Sequence, residues 1–263
     1  MAWNLFRKAL QIVFRNLGMA FRIFVPTILL FAVIMAVAMA ASLANPYGGM
    51  SAGYGLFLLL ASLANIVLMT WLFVAWFRYI LLAERPGGLL PQWRGPEIWA
   101  SLLRGLLIVL IMLGCFVALG VVLGVPVALM AETRSGAGAG MILLGLLGLA
   151  AMLALYVLGM RLSTSLPGMA IGAPLSLRET LARTKGQGWT YLAVLLLVIV
   201  FVILAEIPYF LLVLLAQAGG GAMVVMMILM VAYMAVFQMV ATVLGATLLC
   251  VFYGHYVEGR SLD

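Results

Sequence analysis

The sequence predicts an all-α polytopic membrane protein: a bundle of six transmembrane helices with amphipathic helices on its cytoplasmic side. Three observations carry that expectation. The 263 residues are 67% hydrophobic and only 8% charged, where a soluble domain holds about 45–50% apolar and 25% charged residues. The apolar residues gather into six runs, each near or above the ~20 residues that cross a bilayer. The basic residues fall in alternate gaps between those runs.

The first element is an interfacial amphipathic helix over residues 1–22. Trp3, Phe6, Leu10, Phe14, Leu17 and Phe21 recur at helical spacing, with Lys8, Gln11, Arg15 and Arg22 on the other side. Such a helix is expected to lie in the interface, aromatic side toward lipid. Spans follow at about 25–44, 54–82, 98–125, 140–161, 189–217 and 222–253. Basic residues precede the first, and Ala38-Met39-Ala40 imitates a cleavage site. The leading region is too long for a signal peptide, so the segment is expected to remain a span. Its Ala32, Ala36, Ala40 and Ala44 share a face, which permits close helix contact in lipid. The third span contains Gly124 and Pro126 and is expected to end or kink there.

Two further helix starts are legible. Gly95-Pro96-Glu97 places proline at a first helical position, and that helix should run past Trp99 and Arg104 into the third span. Ser176 and Glu179 read as a capping box. With Gly186 as a left-handed stop, they define a short cytoplasmic interfacial helix over 176–186. Arg78 and Arg161 are separated by the same interval as Pro91 and Pro174. That suggests three related units, each an interfacial helix, a span out and a span back.

Of the fourteen Lys and Arg residues, only Arg134 falls on the opposite side of this alternation. The positive-inside rule then puts both termini in the cytoplasm of a bacterial inner membrane, crossed in multiple passes. The net charge of +7 reads as basic loops against anionic lipid headgroups rather than as a nucleic-acid surface. Headgroup contacts are expected at Arg7, Lys8, Arg15, Arg22, Arg178, Arg183 and Lys185.

Chemistry is sparse. Glu206 is the one acid inside a span, and an ionisable group at that depth is a functional candidate by default. Asn65 and Tyr233 fall at a similar depth, so the three could form a hydrogen-bonded cluster. One reading is a proton- or cation-binding site; the other is a neutral carboxylic acid that joins helices. Met223, Met226, Met227, Met230 and Met234 share a broad face of the last span. Their spacing suits copper(I), but methionine is also an adaptable packing residue, and packing is the reading adopted. Cys115, Cys250 and His255 lie in apolar surroundings without metal-ligand spacing. Ser163, Thr164 and Ser165 have no nearby base and should satisfy backbone at a helix end. No zinc, nucleotide or nucleophile-elbow motif occurs. No catalytic residue, metal or cofactor is expected.

The stretch Arg161–Trp189, RLSTSLPGMAIGAPLSLRETLARTKGQGW, resembles a segment of bacterial multi-span proteins. There an Arg–Pro stretch leads to a Ser/Glu-capped helix, then Thr–Lys/Arg–Gly and an aromatic residue. It is similar to the membrane domain of glycerophosphodiester phosphodiesterases and to related six-span proteins of unassigned function. In fused members a soluble barrel carries the catalysis; this chain has no barrel and one histidine, so that activity is not implied. The resemblance implies a membrane module alone. The expected role is a non-catalytic accessory, assembly or scaffold factor that binds lipid, anionic by charge, or a larger membrane complex. The alternative is a small proton- or cation-coupled transporter using Glu206.

Overall fold

Backbone amides in a bilayer have no water to bond, so they must bond to each other. In the computed structural model the chain does this as helix. The structure describes residues 1–25, 29, 33, 52–85, 87, 88, 90–133, 137–217 and 222–261, and no strand occurs among them. The helices are α1 (Ala2–Arg15), α2 (Ala52–Leu82), α3 (Gly95–Thr133), α4 (Ala137–Ser163), α5 (Leu166–Ala170), α6 (Leu177–Arg183), α7 (Gly188–Gln217) and α8 (Ala222–Tyr256). Residues 17–25 are helical as well.

Five stretches are long and apolar enough to cross a membrane: Gly55–Leu82, Gly95–Val127, Gly140–Ala170, Gly188–Ala216 and Val225–Tyr256. They correspond to the second through sixth expected spans. The first, at about 25–44, lies outside the described residues except for 25, 29 and 33, which are helical. Large apolar side chains such as Leu103, Val122, Ile142, Leu196 and Val231 are exposed on the outer faces of these helices, the arrangement hydrocarbon requires. One boundary differs from expectation. α3 does not end at Gly124–Pro126 but continues to Thr133. Proline removes one amide donor, and membrane helices tolerate that loss.

The core sits at one end of the bundle. There α2, α4 and α8 finish and α3 and α7 begin, so the basic segments converge; we call it the basic end. Trp76 is fully buried in α2 and donates its indole N–H to Thr247 Oγ1 of α8 at 3.0 Å. Phe24 packs edge-on against both Trp76 and Phe73. Tyr191 of α7 packs against Phe252 and Tyr256 of α8. Its hydroxyl lies 3.2 Å from Thr164 Oγ1, which itself donates to the Met160 carbonyl at 2.9 Å. Ser165 likewise donates to Leu162, so two of the three hydroxyls expected to satisfy the end of α4 do so, while Ser163 makes no hydrogen bond among the described residues.

α1 uses part of its apolar face inside the fold. It packs on α7 and α8, burying Leu5, Phe6, Ala9 and Val13 while Trp3, Phe14 and Phe21 stay exposed. The expected aromatic stripe is therefore split between two environments. The reason is local: Leu5, Ala9 and Val13 repeat every four residues and offer a narrow, small-residue ridge that fits between two helices, with Phe6 reaching Phe201 edge-on. Asn16 ends the helix. Its Nδ2 donates to Ile12 O at 2.7 Å, and its Oδ1 accepts from the Tyr79 hydroxyl at 2.6 Å.

Two short helices cover the basic end. α5 begins with Pro167 near its first position and touches α2, α3 and α8. Gly168 is required there, since an added Cβ would lie 2.8 Å from the Ala173 carbonyl and 2.9 Å from the Tyr253 ring. α6 is capped by Ser176, whose Oγ accepts from the Glu179 amide at 3.1 Å. The reciprocal half of the expected box is not made, because the Glu179 carboxylate accepts from Arg183 at 2.9 Å instead. Gly186 takes the expected left-handed conformation at φ +80°.

Candidate functional site

The basic end is held by arginines that reach across elements. Arg78, near the end of α2 and with only 14% of its side chain exposed, donates Nε to Glu84 at 2.7 Å and a second nitrogen to the Ala170 carbonyl at 2.9 Å. Arg94 bonds the other oxygen of Glu84. Glu97, in the first turn of α3, stands 3.8 Å from Arg78 and 4.0 Å from Arg94. One patch thus ties the end of α2, the following loop, the start of α3 and α5. Burial pushes the Glu84 carboxyl up, but the hydrogen bonds from Arg94 and Arg78, with the charge of both, outweigh it and hold the group below its ordinary value. Arg161, ending the next returning span, donates to Thr184 Oγ1 at 3.0 Å and to the Leu181 carbonyl at 2.6 Å. Arg260 reaches back to Leu81 at 3.4 Å.

The cations expected to meet headgroups divide into two sets. Arg22 donates to Gly88 O at 3.1 Å, and Arg183 donates to Val257 O at 2.7 Å. Both are exposed but structurally engaged. Arg7, Arg15, Arg178 and Lys185 are exposed and make no hydrogen bond or ion pair among the described residues. Lys8 is half-buried. No sequence signal indicated that Arg78, Glu84, Arg94 and Glu97 would converge.

The intramembrane trio is only partly assembled. Tyr233 of α8 donates its hydroxyl to the Ala205 carbonyl of α7, one residue before Glu206. Glu206 is half-buried and makes no hydrogen bond or ion pair among the described residues. Asn65 of α2 has its Oδ1 buried without a hydrogen-bond partner. No bond joins the three side chains.

One feature of the bundle was not anticipated from the sequence. A cavity of about 990 Å³ opens between α2, α3, α4, α7 and α8, the upper range of small-molecule sites. Each wall is one face of a helix. Leu63, Val67, Thr70, Val74 and Phe77 line it from α2, and Ser101, Leu102, Gly105 and Val109 from α3. α4 contributes Tyr156, Met160 and Ser163; α8 contributes Ala241, Thr242, Gly245 and Leu249. No lining residue is charged. Ser101, Tyr156 and Ser163 are far apart in the sequence; only the tertiary arrangement puts them on the wall of one space. The two cysteines take no part: Cys115 and Cys250 are free thiols, the latter buried. Among the described residues no group of His, Cys, Asp and Glu could hold a metal. No protein-family model, curated protein or solved structure matches the chain.

Proposed function

We propose that this chain is a bacterial inner-membrane protein, crossing six times with both termini in the cytoplasm, whose work is non-catalytic. It binds membrane lipid and serves as an accessory or scaffold subunit of a larger membrane complex. The single observation that carries the lipid reading is the uncharged cavity of about 990 Å³ between spans. It adjoins an end that displays Arg7, Arg15, Arg178 and Lys185 without internal partners. Apolar walls suit hydrocarbon, and exposed cations suit the anionic headgroups above it. On the same footing we propose kinship with the membrane domain of glycerophosphodiester phosphodiesterases, supported by the 161–189 stretch.

The test is native mass spectrometry of the protein released from mild detergent. Gly105 and Gly245 line the cavity, and an added Cβ at either meets nothing within 4 Å. Gly105→Leu with Gly245→Leu should therefore project two side chains into the space and obstruct an occupant without a clash at either Cβ. The wild type should retain lipid and the double variant should lose it. Equal retention in both removes the lipid reading. The second reading, a proton- or cation-coupled carrier, draws its support from the unpartnered, half-buried Glu206.

A further inference from the structure

The hydroxyls of the spans fall into two groups. Those of Ser62, Thr70, Thr242 and Thr247 donate to the carbonyl four residues earlier, at 2.7–2.8 Å. Three that line the cavity do not. Ser101 is 6% exposed, and its Oγ has no hydrogen-bond partner. Tyr156 and Ser163 also make no hydrogen bond among the described residues. A buried hydroxyl without an acceptor is costly and uncommon. These donors face a space whose lining offers them no charged group. The ligand that suits them is neutral where it meets the wall, apolar over most of its length, and furnished with acceptors at one level.

Depth fixes that level. Ser163 is the last residue of α4, and Ser101 lies six residues into α3, about 9 Å from its start at 1.5 Å per residue. Both are near the basic end. Trp99, 53% exposed beside them, takes the position of an interfacial aromatic. The cavity then runs down to Val109 on α3, about 20 Å from the helix start. One leaflet of hydrocarbon is about 15 Å thick. Along α3 the space therefore reaches about one leaflet deep, and on α2 it continues to Leu63, with hydroxyl donors where ester carbonyls sit and hydrocarbon walls where acyl chains run.

Arg104 adds the charge. It follows Ser101 by three residues and shares its flank of α3. It is half-buried and has no hydrogen bond or ion pair among the described residues. Helical side chains lean toward the helix N-terminus, which for α3 is the basic end, so the guanidinium is carried up toward the headgroup layer. A phosphate there would neutralise it.

Resting on the lipid-binding reading, we infer that the cavity seats the acyl chains of an ester-linked glycerophospholipid from the leaflet at the basic end. Its ester carbonyls accept from Ser101 and Ser163, and its phosphate pairs with Arg104. The experiment compares phosphatidylglycerol with its diether analogue of identical chains, which lacks the carbonyls. Delipidated full-length protein is titrated with each in detergent, and bound lipid is counted by native mass spectrometry. Wild type should prefer the ester by about tenfold, the worth of one or two net hydrogen bonds. Ser101→Ala with Ser163→Ala should abolish that preference while still binding lipid. Arg104→Gln should keep it but lose discrimination of phosphatidylglycerol from diacylglycerol.

Equal binding of ester and ether by wild type overturns this inference while leaving the lipid reading intact. So does a preference that survives in the double alanine variant, or a tightly retained isoprenoid quinone in place of phospholipid. Discrimination that survives in Arg104→Gln overturns it too. Failure of the cavity-filling variant to change retention overturns the lipid reading itself, so the two failures are distinguishable.

Discussion

At the scale of single residues, polar atoms in the spans divide by whether they have a partner. Thr247 holds both a carbonyl on its own helix and the Trp76 indole. Ser101 holds nothing. Removing an unsatisfied buried hydroxyl relieves a desolvation cost, so Ser101→Ala in delipidated protein should leave the thermal midpoint unchanged or raise it, by up to about 1 kcal/mol. A lowered midpoint would mean that the hydroxyl has an internal acceptor. Glu206 poses the complementary question, as a half-buried acid inside a candidate span. Glu206→Gln keeps shape and hydrogen-bonding capacity without ionisation. Under the scaffold reading it should assemble and retain lipid like wild type, measured by size-exclusion chromatography and native mass spectrometry. Normal assembly with loss of proton- or cation-coupled flux in proteoliposomes would instead establish the carrier. The sequence marked Glu206, Asn65 and Tyr233 by depth alone. Depth does not specify which faces of three helices meet, and here the Tyr233 hydroxyl went to a backbone carbonyl.

At the scale of elements, the short helices at the basic end show what local signals resolve. Ser176 was legible as a cap because the capping bond is made three residues away. Ser176→Ala should cost roughly 0.5–2 kcal/mol, seen as faster amide exchange over 177–183. Glu179→Gln should cost less at the cap, since that carboxylate serves Arg183. The Arg78–Glu84–Arg94 patch was not legible, because its members meet only when the α2–α3 loop folds back. The folded-state pKa of Glu84 is depressed from 4.5. Its contribution to stability is therefore fully present above about pH 4.5 and is lost as pH falls through the lower folded value. Thermal midpoints measured downward from pH 6 should decline more steeply in wild type than in Glu84→Gln below that point. Parallel declines would show that the patch does not hold the loop. Arg78→Ala, which also frees the Ala170 carbonyl, should destabilise by about 1.5–3 kcal/mol.

At the scale of the molecule, hydrophobic run length located five spanning helices to within a few residues at most ends. The exception is α3, where Gly124 and Pro126 read as an end or a kink and the helix continues to Thr133. Run length reports where a chain can leave water, not how it is continued inside lipid, so helix extension past a proline is invisible to it. The docking of α1 on α7 and α8 was not legible either. An amphipathic pattern tells that one face is apolar, but lipid and a neighbouring helix satisfy that face equally. Charge asymmetry predicts orientation, and labelling checks it. In a background with Cys115 and Cys250 replaced, cysteine at Gly48 or Gly136 should react with an impermeant thiol reagent applied to intact cells. Cysteine at Gly88 or Gly172 should not. Reaction of the second pair inverts the topology.

The docking of α1 has a consequence for biosynthesis. The ridge of Leu5, Phe6, Ala9 and Val13 is synthesised well before its seat, which is built by α7 and α8. Until α7 and α8 are made this ridge lacks that seat, so the nascent protein carries an exposed apolar surface until α8 is inserted. A chain truncated before α8 would keep that surface permanently displayed, a degron-like mark by which membrane quality control could distinguish unfinished molecules from finished ones. Pulse–chase of a chain stopped after Gln217 should show rapid turnover, and replacing Leu5 and Val13 by serine should slow it.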